Sequence, residues 1–532
     1  MPHRRPSQYS SSEVSHQHPE ISGVRTTNTV VVGNGPAALC LSYLLHGNIP
    51  FYDPVTHGPH PDPVLHKKLS KTLGKPLFYA LDTPQQSERL TDHFPASNLS
   101  YSTQALPLNA LLDTLQRPNA DTELGEVKGR LRWEKWPQKS VEHMVLGSAP
   151  DAGGQWTEDP VSTNWDIGTL SYSEMFSLPG YTFPEHYRRL HKKLPPELVR
   201  PTRRDVSSYY AAYPRAVGIA SAVYSNVYVK RISRNQGGFT VQVQRRKTGE
   251  IFVVLCRHLV LASGIFSYTI PPPPIFLPLL QRPKMQRSHT DGSSGGHNTV
   301  LVIGSGFTAA DVILSTPPNK RIIHIYKWNP DRPSPLKGCH PQAYPEYAEI
   351  YRRMKLGTLG TSTQNPRSPH TEHPGSAPVM RDWETTYQGF PNAQVIAVSG
   401  DGKIKLLTID EEVIEREITE LKYCVGRRGS LGYLSTDLRK EVGALDVAWV
   451  SADTLRRRVE TGVEVVPGVF VIGSLTGDSL VRYVAGACTY AAGKILKESE
   501  DRKALAAQHA GAAATATGKS PGSETPGSCV IS

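Results

Sequence analysis

Gly33 and Gly35 stand two residues apart, with Ala38 three further on, directly after the apolar run Thr29-Val30-Val31-Val32. These residue types suit holding a diphosphate against the main chain. Gly33 permits a tight turn, Gly35 lets the backbone approach charged oxygens, and Ala38 allows a helix to pack closely on a strand. Leu39, Leu41, Leu44 and Leu45 then recur at helical spacing, so an anion at the turn would meet the open N–H groups and positive dipole end of a helix. Gly47-Asn48 stops that helix, and Ile49 to Asp53 reads as a next strand that ends in a carboxylate. Asp53 lies about 20 residues past the first glycine, where it would accept ribose hydroxyl protons. Strand, turn, helix and terminal acid together predict a dinucleotide-binding βαβ unit.

The pattern returns later. Thr299-Val300-Leu301-Val302-Ile303 runs into Gly304-Ser305-Gly306, with Ala309 at the packing position and Val312, Ile313 and Leu314 continuing a helix. Its second strand, Arg321 to Tyr326, ends in Lys327-Trp328 rather than in an acid. An acid there would repel a ribose 2′-phosphate, whereas a lysine pairs with it, so Lys327 favours NADP over NAD; a solvated lysine at a strand end is the plainer alternative. Just upstream, Gly292-Ser293-Ser294-Gly295-Gly296 matches the G-x-S-x-G of hydrolase nucleophile elbows. An elbow needs a strand running into it, and here the only strand follows.

Three further segments carry candidate contacts. His143 to Gly147 reads as a strand, followed by Gly153-Gly154-Gln155-Trp156, which suits either a backbone pressed against a flat ring system or a glycine turn beside a packing tryptophan. Ala262-Ser263-Gly264 ends a strand before the prolyl stretch Pro271 to Pro274, a turn-rich segment that resembles the crossing between domains in many two-domain proteins. Val469 to Gly473 gives a third buried strand, with Gly477-Asp478 and a small-residue helix, Val484 to Leu496, behind it. Tyr209, Tyr210 and Tyr213 read as core aromatics.

The expected fold class is α/β, with two Rossmann-like dinucleotide-binding domains, one inserted into the other. Residues 1–28 form a disordered tail; 29–290 are the first part of the first domain, with an insertion at about 54–140; 297–419 are the second domain, with a disordered loop at about 357–381. Residues 420–496 complete the first domain, beginning with the strand Leu421 to Gly426, and 497–532 form a flexible tail. A chain of 532 residues, 38% hydrophobic, can bury cores of this size. The formal charge is +11, yet the basic clusters (Arg203-Arg204, Arg245-Arg246-Lys247, Arg456-Arg457-Arg458) are scattered and form no nucleic-acid-binding stripe; the surplus suits an acidic cofactor or an anionic membrane. Six cysteines lie far apart without metal or C-x-x-C spacing, which predicts a reduced cytoplasmic protein with no metal site. Neither a secretory signal nor a transmembrane run is expected.

Two dinucleotide turns, a Gly-Gly-x-Trp between them and a terminal strand-Gly-x-Asp segment together resemble the flavin-containing monooxygenase superfamily. That resemblance implies FAD at the first turn, NADPH at the second, and Val229 near the flavin's adenine. Closer in wording, Val32-Gly33-Asn34-Gly35-Pro36, His60-Pro61-Asp62-Pro63-Val64-Leu65, Leu178-Pro179-Gly180, Tyr344-Pro345-Glu346-Tyr347 and Gly477-Asp478-Ser479-Leu480-Val481-Arg482 are similar to the oxidative-stress-induced growth inhibitor family. It implies a role in growth, cell death and cytokinesis with NADPH-dependent monooxygenase activity. Two features depart from the superfamily pattern. Leu170 to Met175 lacks the asparagine that follows Gly-Gly-x-Trp, with Asn164 upstream of it, and an F-x-G-x-x-x-H signature ending at His289 would carry Pro283 and Met285.

The expected activity is FAD- and NADPH-dependent oxygenation of a soft sulfur or nitrogen nucleophile, with no catalytic side chain assigned. A flavoprotein releasing hydrogen peroxide fits the missing asparagine, and a non-catalytic interaction protein fits the growth-regulatory resemblance. The last four residues, Cys529-Val530-Ile531-Ser532, match C-a-a-X with terminal Ser, a farnesylation pattern that implies peripheral membrane contact; chance in a low-complexity tail is the alternative.

Overall fold

The computed structural model describes residues 23–517 apart from 100, 119–127, 197–199, 282–297, 360–380, 445–448 and 461. The G-x-S-x-G match, the positions Pro283, Met285 and His289, most of the 357–381 loop and Cys529 lie outside the described residues.

Val30, Val31 and Val32 are β-branched and buried, and their strand, Val24–Val32, runs through the parallel middle of the larger, mixed sheet. It starts earlier than expected, because Val24 to Thr27 also pair with Val253 to Cys256, so residues 24–28 are strand rather than tail. The sheet runs Glu464–Val466, Val469–Val471, Ile251–Leu261, Val24–Val32, His143–Leu146, Val223–Tyr224, and the antiparallel hairpin Val227–Asn235 with Gly238–Arg245 joins through Ile251–Leu261. The helix Pro36–Leu45 buries Leu39, Leu41, Leu44 and Leu45 between this sheet and the C-terminal helix, each contributing about 1.5–3 kcal/mol. Tyr209, Tyr210 and Tyr213 are fully buried in the same core, and their hydroxyls donate to the carbonyls of Tyr181, Phe176 and Pro179.

The second domain is a parallel sheet in the order Tyr387–Pro391, Arg321–Tyr326, Thr299–Ile303, Glu420–Tyr423, with a three-stranded antiparallel sheet (Gln394–Val398, Lys403–Leu407, Val413–Glu417) as its own unit. Glu420–Tyr423 was expected to open the return to the first domain, but it pairs with Thr299–Ile303 and belongs to the second. The crossing comes after Gly426, where Arg427–Ser430 pairs antiparallel with Tyr268–Thr269, just past the Ala262-Ser263-Gly264 segment. The outgoing and returning chains are thus hydrogen-bonded side by side.

Two other expectations change. The strand Asn48–Tyr52 forms, but it pairs antiparallel with Leu131–Lys135 in a separate two-stranded sheet. The place beside Val24–Val32 is taken by His143–Leu146. The inserted residues supply Asn48–Tyr52 with its partner and draw it out of the main sheet. The C-terminal helix runs Ala485–Thr517, well past Leu496, where a flexible tail was expected. Ala504, Ala506 and Ala507 are strong helix formers, and Lys497 to Asp82, Glu498 to His258 and Glu500 to Lys139 tie the start of the extension to the body. No helix among the described residues is long and apolar enough to cross a membrane.

Candidate functional site

The two glycine turns are built alike. Gly33 has φ +116° and Gly304 φ +148°, and a Cβ on either would lie 2.8 Å from a backbone carbonyl carbon, that of Ala262 or of Cys424, past the end of the neighbouring strand. Only glycine fits both the left-handed backbone and the close approach. Gly35 and Gly306 are the reverse case. Each is the N-cap of its helix in an extended conformation, no side chain caps either helix, and a Cβ on either would meet nothing within 4 Å. The helices Pro36–Leu45 and Phe307–Ser315 therefore present uncapped N-termini to open space, which is what a bound diphosphate requires. Ala38 and Ala309 are buried against the strands, as a packing position demands.

Buried polar residues hold the turns in shape. The Asn34 amide donates to the carbonyl of Asp151 (3.0 Å) and to the Ser225 hydroxyl (3.2 Å), and the Gly153 N–H donates to the Asn34 carbonyl (2.7 Å). A Cβ on Gly154 would lie 3.1 Å from the Gly35 Cα, so the Gly-Gly segment is pressed against the first turn. At the second turn, His324 Nε2 lies 2.7 Å from the Gly304 carbonyl and Nδ1 2.7 Å from the Tyr387 hydroxyl. A carbonyl only accepts, so Nε2 carries the proton and the tyrosine donates to Nδ1. Burial lowers the His324 pKa to about 4, which keeps the ring neutral. Neither Asn34 nor His324 stood out in the sequence, since asparagine in a turn and histidine in a strand carry no spacing signal.

Each turn opens on a cavity. The smaller, about 440 Å³, is lined by Gly33, Gly35, Gly153, Gly154, Val229 and Gly473 among others. The larger, about 1100 Å³, is lined by Gly304, Ser305, Gly306, Lys327 and residues of both domains. Gln155, Trp156, Phe266 and Leu480 line both, so the cavities meet there. Lys327 is exposed at the tip of Arg321–Tyr326, the strand next to the second turn. Asn164 also lines the larger cavity.

Of the two expected acids, one stands away from both cavities and the other is held by protein partners. Asp53 is the N-cap of a short helix: its carboxylate accepts the N–H groups of Val55 and Thr56 (both 3.1 Å) and the Thr56 hydroxyl (2.7 Å), with Arg132 3.5 Å away. The Thr56 hydroxyl, then its N–H, hold the Asp53 carboxyl below the usual range. The residue is not among those lining either cavity, because its strand is not the neighbour of Val24–Val32. The chain that follows the true neighbour, His143–Leu146, is Gly147, where a Cβ would overlap the Asn34 side chain. Asp478 does line the smaller cavity, yet its carboxylate accepts from the Leu106 N–H (3.0 Å) and the Asn109 amide (2.6 Å) and pairs with Arg456 (2.7 Å). Ser474, directly after Gly473, lines the same cavity and accepts the Ile265 N–H at 3.2 Å.

Two uncapped helix N-termini, each following a strand with parallel neighbours on both sides and facing cavities that join, define a protein with two dinucleotide-type domains. Over nearly its whole length the chain is similar to oxidative stress-induced growth inhibitors. It is 26% identical to inhibitor 1 of Mus musculus over 502 residues, covering 89% of this chain and 96% of that one. It is 24% identical to the homologue of Caenorhabditis elegans, covering 87% and 92%, and 23% identical to inhibitor 2 of Homo sapiens, covering 87% and 91%. Among solved structures, a flavin monooxygenase mutant of Stenotrophomonas maltophilia aligns with TM-score 0.47 at 13% identity, over 89% of this chain and 99% of that one. A bacillithiol disulfide reductase of Bacillus cereus aligns with TM-score 0.46 at 12% identity, over 89% and 100%. No family model matches the chain.

Proposed function

We propose that the chain is an NADPH-dependent flavin monooxygenase that oxygenates a soft sulfur or nitrogen nucleophile, acting in growth regulation as the names of its relatives suggest. The observation that carries this reading is the pair of uncapped glycine turns opening on two cavities that meet at Trp156. Gly33, Gly35 and the start of Pro36–Leu45 would hold the FAD pyrophosphate, with Gly153, Gly154, Val229 and Gly473 shaping the rest of that cavity. Gly304, Ser305, Gly306 and the start of Phe307–Ser315 would hold the NADPH pyrophosphate, and Lys327 would pair with the 2′-phosphate. Bound together, the cofactors supply the chemistry by which NADPH, a proton, O₂ and substrate become NADP⁺, water and oxygenated product. Trp156, Phe266 and Leu480 would give the junction of the cavities an apolar lining, and no side chain is required as general acid or base.

A peroxide-releasing oxidase is the second reading, favoured by the absence of an amide side chain from Leu170 to Met175 beside the larger cavity. The deciding experiment incubates FAD-loaded protein with NADPH and a thioether while measuring sulfoxide and peroxide. Sulfoxide supports the monooxygenase, peroxide alone supports the oxidase, and a protein that binds no FAD contradicts both. Cys529 is proposed in addition as a farnesyl acceptor that makes membrane contact reversible, since one prenyl chain anchors only marginally.

A further inference from the structure

The larger cavity carries a charged wall that the cofactor reading leaves unused. Arg203 opens the helix Arg203–Ala216, and Arg427 opens the returning strand Arg427–Ser430. Both line the larger cavity, and both pair with Asp159, three residues past Trp156. Arg427 Nη1 lies 3.1 Å from Asp159 Oδ1, which also accepts the Val161 N–H at 2.9 Å, while Arg203 Nη2 donates to the Gln155 carbonyl at 2.8 Å. The Asp159 side chain is 4% exposed, so two guanidinium groups share one buried carboxylate. Each carries five N–H donors, of which Asp159 and its neighbours take only part, and the Nε of each is buried with no hydrogen-bond partner.

The other carboxylate on this wall forms no ion pair with either arginine among the described residues. Asp311, one turn into Phe307–Ser315, lines the same cavity and accepts the Tyr347 hydroxyl at 2.8 Å. Burial raises its pKa, and burial together with the neighbouring Arg427 lowers that of Arg203 to about 10. Two guanidinium groups that share one carboxylate in a partly enclosed wall keep N–H donors for an anion.

The position separates that anion from the cofactor phosphates. Lys327 follows the strand on one side of Thr299–Ile303, and Arg427 follows the strand on the other. The second turn, between them, already provides for the diphosphate. Through Gln155, Arg203 is attached to the place where the two cavities join, the end at which substrate and cofactors would react.

We propose that Arg203 and Arg427 form an anion-recognition subsite for the substrate, so that the preferred nucleophile carries a carboxylate a few atoms from its reacting sulfur or nitrogen. This rests on the monooxygenase reading for the identity of the reacting atom. The subsite orients the substrate by a charge-assisted contact and takes no part in bond making.

The test uses FAD-loaded full-length protein and two probes, 3-(methylthio)propanoate and its methyl ester, which share the thioether and differ in charge and by one methyl group. Binding is followed by tryptophan fluorescence, since Arg203 lies 4.6 Å over the Trp165 ring, and turnover by sulfoxide formation with NADPH. The acid is expected to bind at least about 10-fold more tightly than the ester, and Arg427→Gln to weaken the acid by about 10- to 100-fold with flavin content retained and the ester unaffected. Arg427→Lys, which keeps the charge but loses the fork, should fall between. If Arg427→Gln fails to fold, the acid and ester compared on the parent protein still decide. Equal binding of acid and ester would overturn the subsite, as would equal loss of both in Arg427→Gln or displacement of the acid by NADPH alone. Preferential acid binding without sulfoxide would keep the subsite and remove the monooxygenase reading; equal sulfoxide yield from both probes would do the reverse.

Discussion

Gly33 and Gly35 are two residues apart and should fail in opposite ways. In Gly33→Ala the new Cβ sits in a backbone conformation of φ +116° and lies 2.8 Å from the Ala262 carbonyl carbon and 3.1 Å from the Ser263 Cα. The left-handed conformation costs about 1–2 kcal/mol for a residue with a Cβ, and forcing the strand end aside costs about 1–3 kcal/mol more. The sum, about 2–5 kcal/mol, should lower the melting temperature of the FAD-free protein by roughly 2–6 °C. Gly35→Val meets neither obstacle, because φ is −77° and nothing lies within 4 Å. Its stability should stay within about 1 kcal/mol of the parent. Its side chain, however, fills the space through which phosphate oxygens reach the helix N–H groups. Losing two charge-assisted hydrogen bonds of about 1.5–3 kcal/mol each weakens FAD by at least about 100-fold. Thermal unfolding by circular dichroism without FAD, followed by FAD titration monitored by flavin fluorescence, separates the two effects. If Gly35→Val bound FAD like the parent, or melted as low as Gly33→Ala before any FAD was added, the placement of the pyrophosphate on this turn would be refuted.

Lys327→Glu should raise the KM for NADPH by at least about 10-fold and leave that for NADH nearly unchanged, since only the former has a 2′-phosphate to repel; equal effects on the two would remove Lys327 from the cofactor contacts. Asp53→Ala should cost about 1 kcal/mol through the lost cap yet leave FAD affinity within about 2-fold, and a 10-fold loss of affinity would restore its ribose role. Asp62 is 3% exposed. Burial would raise its carboxyl, but hydrogen bonds from Ser97, the Leu65 N–H and Tyr101, together with His93, outweigh it and lower the pKa to about 2. Its folded value therefore lies below its unfolded one, so its contribution of about 2 kcal/mol is complete above about pH 4 and disappears as the pH falls towards 2. In urea unfolding, Asp62→Asn should be less stable than the parent at pH 6 and the gap should close near pH 2; a gap independent of pH would contradict this. Cys529→Ser should reduce the membrane fraction of the protein in cells, and equal fractions would count against farnesylation.

The turns were legible because their demands are local. A glycine at a left-handed, crowded position and another facing open space leave the same short signature twice, and the burial of Leu39 to Leu45 follows from helical spacing alone. Asp53 was misplaced because sequence order does not give sheet order. Asn48–Tyr52 follows the first helix, yet its partner Leu131–Lys135 comes from the far end of the insertion, and His143–Leu146 takes the position beside Val24–Val32. The returning strand was misassigned for a related reason: Glu420–Tyr423 has the composition of any buried strand, and only its pairing with Thr299–Ile303 shows which sheet it completes. Tyr387–Pro391, with a glycine and a proline, gave no strand signal and is held by pairing with Arg321–Tyr326. Arg203, Arg427 and Asp159 were not legible as a group, since they lie far apart in the chain and meet only where the domains close on one cavity.

In the proposed function one chain holds FAD on the first turn, and that flavin accepts a hydride from NADPH bound at the second. Anaerobic reduction of the FAD-loaded protein tests it most directly, with flavin absorbance followed after mixing with NADPH or with NADH. About one FAD per chain is expected, bleached faster by NADPH than by NADH, with Gly306→Val slowing NADPH reduction while FAD stays bound. A chain that takes up no FAD, or a bound flavin that NADPH does not reduce, would contradict it.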